Sequence, residues 1–211
     1  MIKLIVIGAS NPAIIRLVDD INSHNKDEIE ILGFLDNNKN KEKNFFGSEI
    51  LGNFDRIKKF DKKKVYLINT IASSCTLRKK TTEYFIKKKY KFTNIIHPNV
   101  NLGRVEIGNG NVIYENTLIQ PFVKIGNHNI ISSNTGVAHE TVIGNFVFVG
   151  PSSYLCGRVR IKDNVFLGAG TRVLPDVKID TNVNISAGSI VNKNLSSNKK
   201  VFVTQGRWIM K

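Results

Sequence analysis

The hydrophobic residues of the chain follow two different rhythms, and the change falls between residues 97 and 107. In the first part, short continuous apolar runs alternate with segments of helical spacing. Ile2–Ile7 is an apolar run closed by Gly8-Ala9-Ser10-Asn11-Pro12, which predicts a buried strand followed by a helix start. Ile14, Ile15, Leu17, Val18 and Ile21 then recur at helical spacing. Glu30–Leu35, ending at Asp36, and Val65–Ile68 read as a second and a third strand, and Phe92–Ile96 as a fourth. Before that last strand, Thr76–Tyr90 predicts a basic amphipathic helix whose inner face carries Leu77, Tyr84 and Phe85. Strands apolar along their whole length, alternating with helices, predict a small parallel α/β sheet of Rossmann type.

From Ile107 onward the rhythm is six. Ile, Val or Leu stands at every sixth position through Val191 without a miss. The fourth residue after each hit, from Asn111 to Ser189, is only Val, Thr, Ser or Asn, small enough for the corner of a tight coil. Ile-Gly-Asn recurs at 107, 125 and 143, so three hexads make one coil. Such a period means stacked repeats, each burying its aliphatic row on the next. The pattern resembles the left-handed parallel β-helix of the hexapeptide-repeat acyltransferases; the left hand is implied by that resemblance, since ordinary crossovers are right-handed. Five uninterrupted coils would stack into a prism roughly 25 Å long. The expected fold class is α/β plus all-β: a small Rossmann-like parallel-sheet domain over residues 1–97, then a left-handed β-helix with a C-terminal tail over residues 98–211.

Composition refines this picture. A chain of 211 residues with 41% hydrophobic and 23% charged residues suits a folded core. The formal charge is +14, yet the surplus divides as +8 in residues 1–100 and +6 in residues 101–211, with no basic tail or stripe. That argues against a nucleic-acid partner and favours small polyanions such as nucleotides; Lys62–Lys64 and Lys87–Lys89 read as solvated surface. No apolar run approaches the roughly 20 residues of a membrane span, so no membrane partner and a cytoplasmic location are expected. Cys75 and Cys156 offer neither a disulfide framework nor metal-ligand spacing. The four histidines, His24, His97, His128 and His139, supply no three-ligand set, and no metal is expected.

His139 stands out among them. It lies two residues after Val137, with Pro121 eighteen residues before it and Gly157 eighteen after it in the same column. A glycine stacked over a histidine leaves space and a backbone N–H beside the imidazole, which suits a general base next to an oxyanion donor. The competing reading is a surface corner residue without chemistry. The column of Pro151, Ala169 and Ala187 forms a different corner. In the first part of the chain, the turn Gly8-Ala9-Ser10-Asn11-Pro12 at a helix start would offer N–H groups to a phosphate, and Asp36 at the end of the second strand would accept from ribose or base. The turn lacks the later glycines of a dinucleotide fingerprint, which argues against NAD. Asp36 also reads simply as a turn residue.

The segment Val137-Ala138-His139-Glu140-Thr141-Val142-Ile143-Gly144 resembles the His-Glu segment of the nucleotide-amino-sugar N-acetyltransferases, a group that includes bacillosamine-pathway and perosamine enzymes and has the sialate O-acetyltransferases as relatives. Gly8-Ala9-Ser10, Leu35-Asp36, Leu77-Arg78-Lys79-Lys80, Ile96-His97-Pro98 and Val201-Phe202-Val203 resemble the same family in order. The resemblance implies an acetyl-CoA-dependent N-acetyltransferase acting on a nucleotide-linked amino sugar, a 4-amino-4,6-dideoxyhexose being the expected acceptor. It implies His139 as base with Glu140 in support. It also implies Gly157, Ala169 and Ala187 along the CoA groove of a homotrimer, Gly8, Ser10 and Asn11 at phosphate or sugar, and Asp36 and Asn37 at base and ribose. The chain departs from the family at Asn11-Pro12, at Phe148 and at Gln205-Gly206-Arg207, where Gly-His, a histidine and Val-Pro-Ala are usual. Two other readings stay open: an O-acetyltransferase of sialic acid or a related glycan, and a trimeric scaffold without catalysis.

Overall fold

The computed structural model describes residues 1–24, 28–38 and 43–202; Val203 and Gln205-Gly206-Arg207 lie outside them. The N-terminal part is a six-stranded sheet with strands β1 (Ile2–Ile7), β2 (Ile29–Leu35), β3 (Asn44–Phe45), β4 (Ser48–Gly52), β5 (Tyr66–Asn69) and β6 (Lys91–Phe92). The order is β3-β4-β2-β1-β5-β6, parallel except for the antiparallel edge strand β3. Helix α1 (Ala13–His24) buries Ile14, Leu17, Val18 and Ile21, the row that its spacing predicts. Helix α2 (Cys75–Lys87) starts at Ser74, whose side chain accepts from the Leu77 N–H, and gives way at Lys89, where φ is +66°. The hairpin β3–β4 and a 3-10 turn at Phe54–Lys59 were not legible in the sequence, because strands of two and five residues are too short to show a period.

Two expectations need correction. Phe92–Ile96 is not one strand. Lys91–Phe92 pairs with β5, whereas Ile95–Ile96, strand β7, pairs with Val112–Ile113 in the β-helix. Asn94 makes the switch: its Nδ2 donates to the Gly108 carbonyl and its Oδ1 accepts from the Asn111 N–H, which captures the chain onto the first coil. The inner face of α2 also differs. Leu77 is 49% exposed, Tyr84 is half-buried, and the buried residues are Cys75, Arg78, Thr81, Thr82 and Phe85.

The rest of the chain winds into the left-handed β-helix, whose three walls are parallel sheets of five, five and seven strands. Each strand has two residues, and the second faces the axis, so the hexad aliphatics from Ile113 to Val191 form one buried core with Val123, Val147, Val159, Val165, Val177 and Val183. Every sixth residue from Arg104 to Gly188 has a positive φ, and only Gly110, Gly170 and Gly188 among them are glycines. A left-handed L-residue costs roughly 1–2 kcal/mol, and from Phe122 to Gly188 each turn is held by a hydrogen bond from that residue's N–H to the coil before, as from Phe146 to the Asn127 carbonyl.

The outward side chains divide the walls. One wall presents Glu106, Lys124, Val142, Arg160 and Lys178. The seven-stranded wall presents Val112, Ile130 and Phe148, which pack with Leu4, Val6 and the buried face of α1. The N-terminal sheet therefore covers that wall, and burial of an aliphatic side chain, worth about 1.5–3 kcal/mol, drives the docking. The third wall presents Leu118, Gly136, Tyr154, Arg172 and Ile190; Leu118 is 56% and Ile190 70% exposed.

Candidate active site

His139 and Glu140 occupy a corner between the two five-stranded walls, after the strand Gly136–Val137. Adjacent residues of a strand point to opposite faces. Glu140, however, has a φ of +58°, and this left-handed turn brings its carboxylate back beside the imidazole, with His139 Nδ1 and Glu140 Oε2 at 3.0 Å. Both side chains are about half exposed. The coil before holds the pair from behind: the His139 N–H donates to Gln120 Oε1, and the Glu140 N–H to the Pro121 carbonyl. Arg160, one coil further on, donates from Nη1 to the Glu140 carbonyl.

Gly157 lies on the imidazole. A Cβ built at residue 157 would stand 2.8 Å from both Cε1 and Nε2 of His139, so glycine alone leaves room for the ring in this position. The column thus runs Pro121, His139, Gly157, as the eighteen-residue spacing predicts, with the Arg158 N–H donating to the His139 carbonyl. Pro151, Ala169 and Ala187 form the separate corner expected of them: the Gly170 N–H donates to the Pro151 carbonyl and the Gly188 N–H to the Ala169 carbonyl. Ala169 and Ala187 are exposed there. Arg160 and Gln120 were missed in the sequence reading, although both follow from the same column arithmetic, one coil up and one coil down.

The sequence-predicted residues of the N-terminal sheet gather at the ends of β1 and β2. Gly8 has a φ of +89°, which the turn after β1 requires. Asp36 Oδ2 accepts from the Ala9 N–H and Oδ1 from the Asn38 N–H, so this carboxylate organises the turn itself. Asn11 Oδ1 accepts from the Ala13 N–H at the start of α1, an N-cap arrangement, while Ser10 is exposed. Asn37 Oδ1 accepts from the Phe54 N–H, and Asn37 lines a groove with Phe54, Leu77 and Tyr84. Burial, with Asp55 beside it, pushes the Tyr84 phenol up to about 12. The structure therefore divides these residues: Asn37 faces that groove, and Asn11 faces another cavity.

The second cavity, of about 240 Å³, lies between the N-terminal sheet and the β-helix. Asn11, Ala13, Thr70 and Ala72 form one wall, and Tyr114, Ile130, Ser133, Phe148 and Pro151 lie opposite, with Glu115 at the edge. Burial, with Glu115 nearby, raises the Tyr114 phenol, which stays protonated. Pro151 lines this cavity and His139 does not. Phe148 stacks on Phe166 with ring centroids 4.8 Å apart and an interplanar angle of 16°. None of the coil residues of this cavity except Phe148 and Pro151 was singled out from the sequence, because the wall exists only where the two parts of the chain meet.

His128 has no part in this chemistry. It is buried between Phe92 and Phe146, and burial, with Arg78 close by, pulls its imidazole down to about 4. Among the described residues no three His, Cys, Asp or Glu side chains converge as a metal site would require, and no helix is long and apolar enough to cross a membrane.

Comparison with known proteins gives the following. Residues 140–174 and 158–193 match the family model of the bacterial transferase hexapeptide, six repeats. No curated protein sequence matches the chain. Among solved structures, the acetyltransferase domain of PglB from Neisseria gonorrhoeae FA1090 superposes with a TM-score of 0.85 at 20% identity, covering 94% of this chain and 95% of that one. The same domain in complex with acetyl coenzyme A gives 0.78 at 21% identity, covering 90% and 92%. PerB from Caulobacter crescentus, in complex with CoA and GDP-perosamine, gives 0.82 at 23% identity, covering 94% and 92%. Residues 140–193 thus match the hexapeptide repeat, and the two-part fold of the chain is that of these acetyltransferase structures.

Proposed function

We propose that the protein transfers the acetyl group of acetyl-CoA to the amino group of a nucleotide-linked amino sugar, with a 4-amino-4,6-dideoxyhexose as the acceptor. The observation that carries this reading is the constellation of His139, Glu140 and Gly157 on a fold whose solved counterparts hold acetyl coenzyme A in one case and CoA with GDP-perosamine in another. With its Nδ1–H donated to Glu140, His139 keeps the Nε2 lone pair free to act as a base. The sugar amine attacks the thioester carbonyl as His139 Nε2 takes its proton, and the Gly157 N–H side of the corner faces the tetrahedral oxyanion. Collapse of the intermediate expels CoA as the thiolate, which takes the proton back from His139. Glu140 stabilises the transient imidazolium. Cys156 has no role in this direct transfer.

Residues 1–97 hold the acceptor and the β-helix domain, 98–211, holds acetyl-CoA. The cavity that contains Asn11 takes the sugar end, and Gly8, Ser10, Asp36 and Asn37 border the nucleotide. Because Pro151 lines that cavity while His139 stands on another corner, one chain does not join the two. A closed three-fold ring does, by setting the His139 corner of one subunit against Pro151, Ala169 and Ala187 of the next, with the wall of Leu118, Tyr154 and Ile190 turned inward. Acetyl-CoA and nucleotide sugars as co-substrates fit a cytoplasmic enzyme.

The test is to incubate the protein with acetyl-CoA and UDP-, GDP- and dTDP-linked amino sugars and follow free thiol, with the free amino sugar and sialic acid in parallel. One nucleotide-linked amine should be acetylated with a kcat/KM at least tenfold above that of the free sugar. Equal values for the two, or transfer to a sialic acid hydroxyl instead, would overturn the assignment of the acceptor, and no transfer to any of them would leave the scaffold reading standing.

A further inference from the structure

Among the described residues Arg78 is the largest fully buried side chain, and it lies on the inner face of α2 with Cys75, Thr81, Thr82 and Phe85. Its partners are all neutral. Nη1 donates to the Ile71 carbonyl at 2.8 Å, Nη2 to the Phe146 carbonyl at 2.9 Å, and Nε to the His128 carbonyl at 3.2 Å, while Nη2 also approaches Cys75 Sγ at 3.5 Å. Burial raises the Cys75 thiol, which remains protonated and supplies no countercharge. A desolvated guanidinium without a carboxylate is an expensive device for holding a helix in place, and an apolar side chain would fill the same space.

The two coil carbonyls explain its position. His128 and Phe146 are left-handed corner residues in consecutive coils, and their carbonyls receive no backbone N–H, because the ladder passes them by. The remaining contact, Ile71, belongs to the segment after β5. Its neighbours Thr70 and Ala72 line one wall of the cavity between sheet and β-helix; Ile130 and Phe148, each two residues beyond a corner carbonyl held by Arg78, line the opposite wall. One planar, rigid fork therefore grips both walls from behind.

We infer that Arg78 is a positioning residue that sets the width of this cavity, and through it the orientation of the acceptor that the proposed function places there. This rests on that reading for the identity of the ligand, but the clamp itself is a statement about the free protein. A lysine carries the same charge on a single point and cannot reach three carbonyls in one plane.

The experiment uses Arg78→Lys and Arg78→Ala in the full-length chain, with two readouts. Hydrogen exchange without substrate should show the amides of Thr70 and Ile71, which donate to the Ile7 carbonyl and to Asn69 Oδ1, exchanging at least tenfold faster in both variants, while those of the hexad strands at 154–155 and 172–173 keep their protection. Steady-state kinetics should show the acceptor KM raised about 10- to 100-fold and the acetyl-CoA KM within about twofold. Ethylguanidinium at low millimolar concentration should return the acceptor KM of Arg78→Ala toward the wild-type value. Should Arg78→Ala not fold, Arg78→Lys carries the same two measurements. Unchanged exchange at Thr70 and Ile71 in a folded variant overturns the clamp. Faster exchange with an unchanged acceptor KM overturns its role in positioning. Failure of the wild-type protein to acetylate any amine sinks the proposed function instead, and leaves the exchange result to decide the clamp.

Discussion

Replacing Gly157 with alanine separates the position of His139 from the integrity of the fold. Gly157 is not among the residues with positive φ, so alanine adopts its backbone without strain. Its new Cβ meets nothing rigid within 2.8 Å, only the Cε1 and Nε2 atoms at the tip of the His139 ring. Ordinary carbon contact needs about 3.5–4.0 Å, so the imidazole must retreat by roughly 0.7–1.2 Å. A misplacement of about 1 Å in a catalytic group lowers turnover by on the order of 10²-fold. The Gly157 N–H is untouched, because the change adds only a methyl group. Stability should hold or rise slightly, since Gly→Ala restricts the unfolded chain by about 0.4–1 kcal/mol. Gly150→Ala is the control: there a Cβ would stand 2.6 Å from the Ala169 backbone nitrogen, which cannot rotate away, and overpacking should cost about 1–3 kcal/mol. The assay is thiol release at saturating acetyl-CoA, with melting followed by calorimetry. Gly157→Ala should lose one to two orders of magnitude in kcat at an unchanged Tm, and Gly150→Ala should lose Tm. A Gly157→Ala protein with wild-type turnover would refute the stacking of ring on glycine as a catalytic requirement.

Other consequences can be read independently. His139→Asn should lower kcat by about 10²–10⁴ with acetyl-CoA affinity within a few fold, and Glu140→Ala should cost less, because it only supports the imidazole; titration of thiol release across pH 6–9 checks both. His128 is held neutral in the fold, with its imidazole pulled from 6.5 to about 4, so the unfolded chain binds the extra proton between these values. The contribution of His128 to stability is therefore complete above pH 6.5 and is lost as pH falls toward 4, by about 3 kcal/mol in all; His128→Asn should remove that slope from urea midpoints measured across pH 4–7. Charging the exposed apolar wall with Leu118→Asp and Ile190→Asp should convert a trimer seen by light scattering into monomers that bind acetyl-CoA weakly, and a fully active wild-type monomer would refute the ring.

The β-helix was legible because its information is local and repeated. A single aliphatic position per hexad meets its own equivalent one coil away, so the spacing alone predicts both the stacking of Ile107, Ile125 and Ile143 and the approach of Gly157 to His139. The strand–helix alternation of residues 1–97 was legible for the same reason, through Ile2–Ile7 and the row Ile14, Leu17, Val18 and Ile21. What only the tertiary structure decided lies where unlike periods meet. Phe92–Ile96 reads as one apolar run, but Asn94 finds partners on the first coil and divides it between two sheets. Arg78 is absent from the inner face that the helical spacing predicts and is buried, because the left-handed corners leave two carbonyls unclaimed and no pattern in the sequence reports an unclaimed carbonyl. The expected support of His139 by Glu140 runs against the alternation of a strand, and only the structure shows the corner that permits it, a positive φ at Glu140. The cavity between Asn11 and Phe148 was not legible as a cavity: its walls come from residues far apart in the chain, and only the packing of the sheet on the β-helix brings them within reach of one ligand.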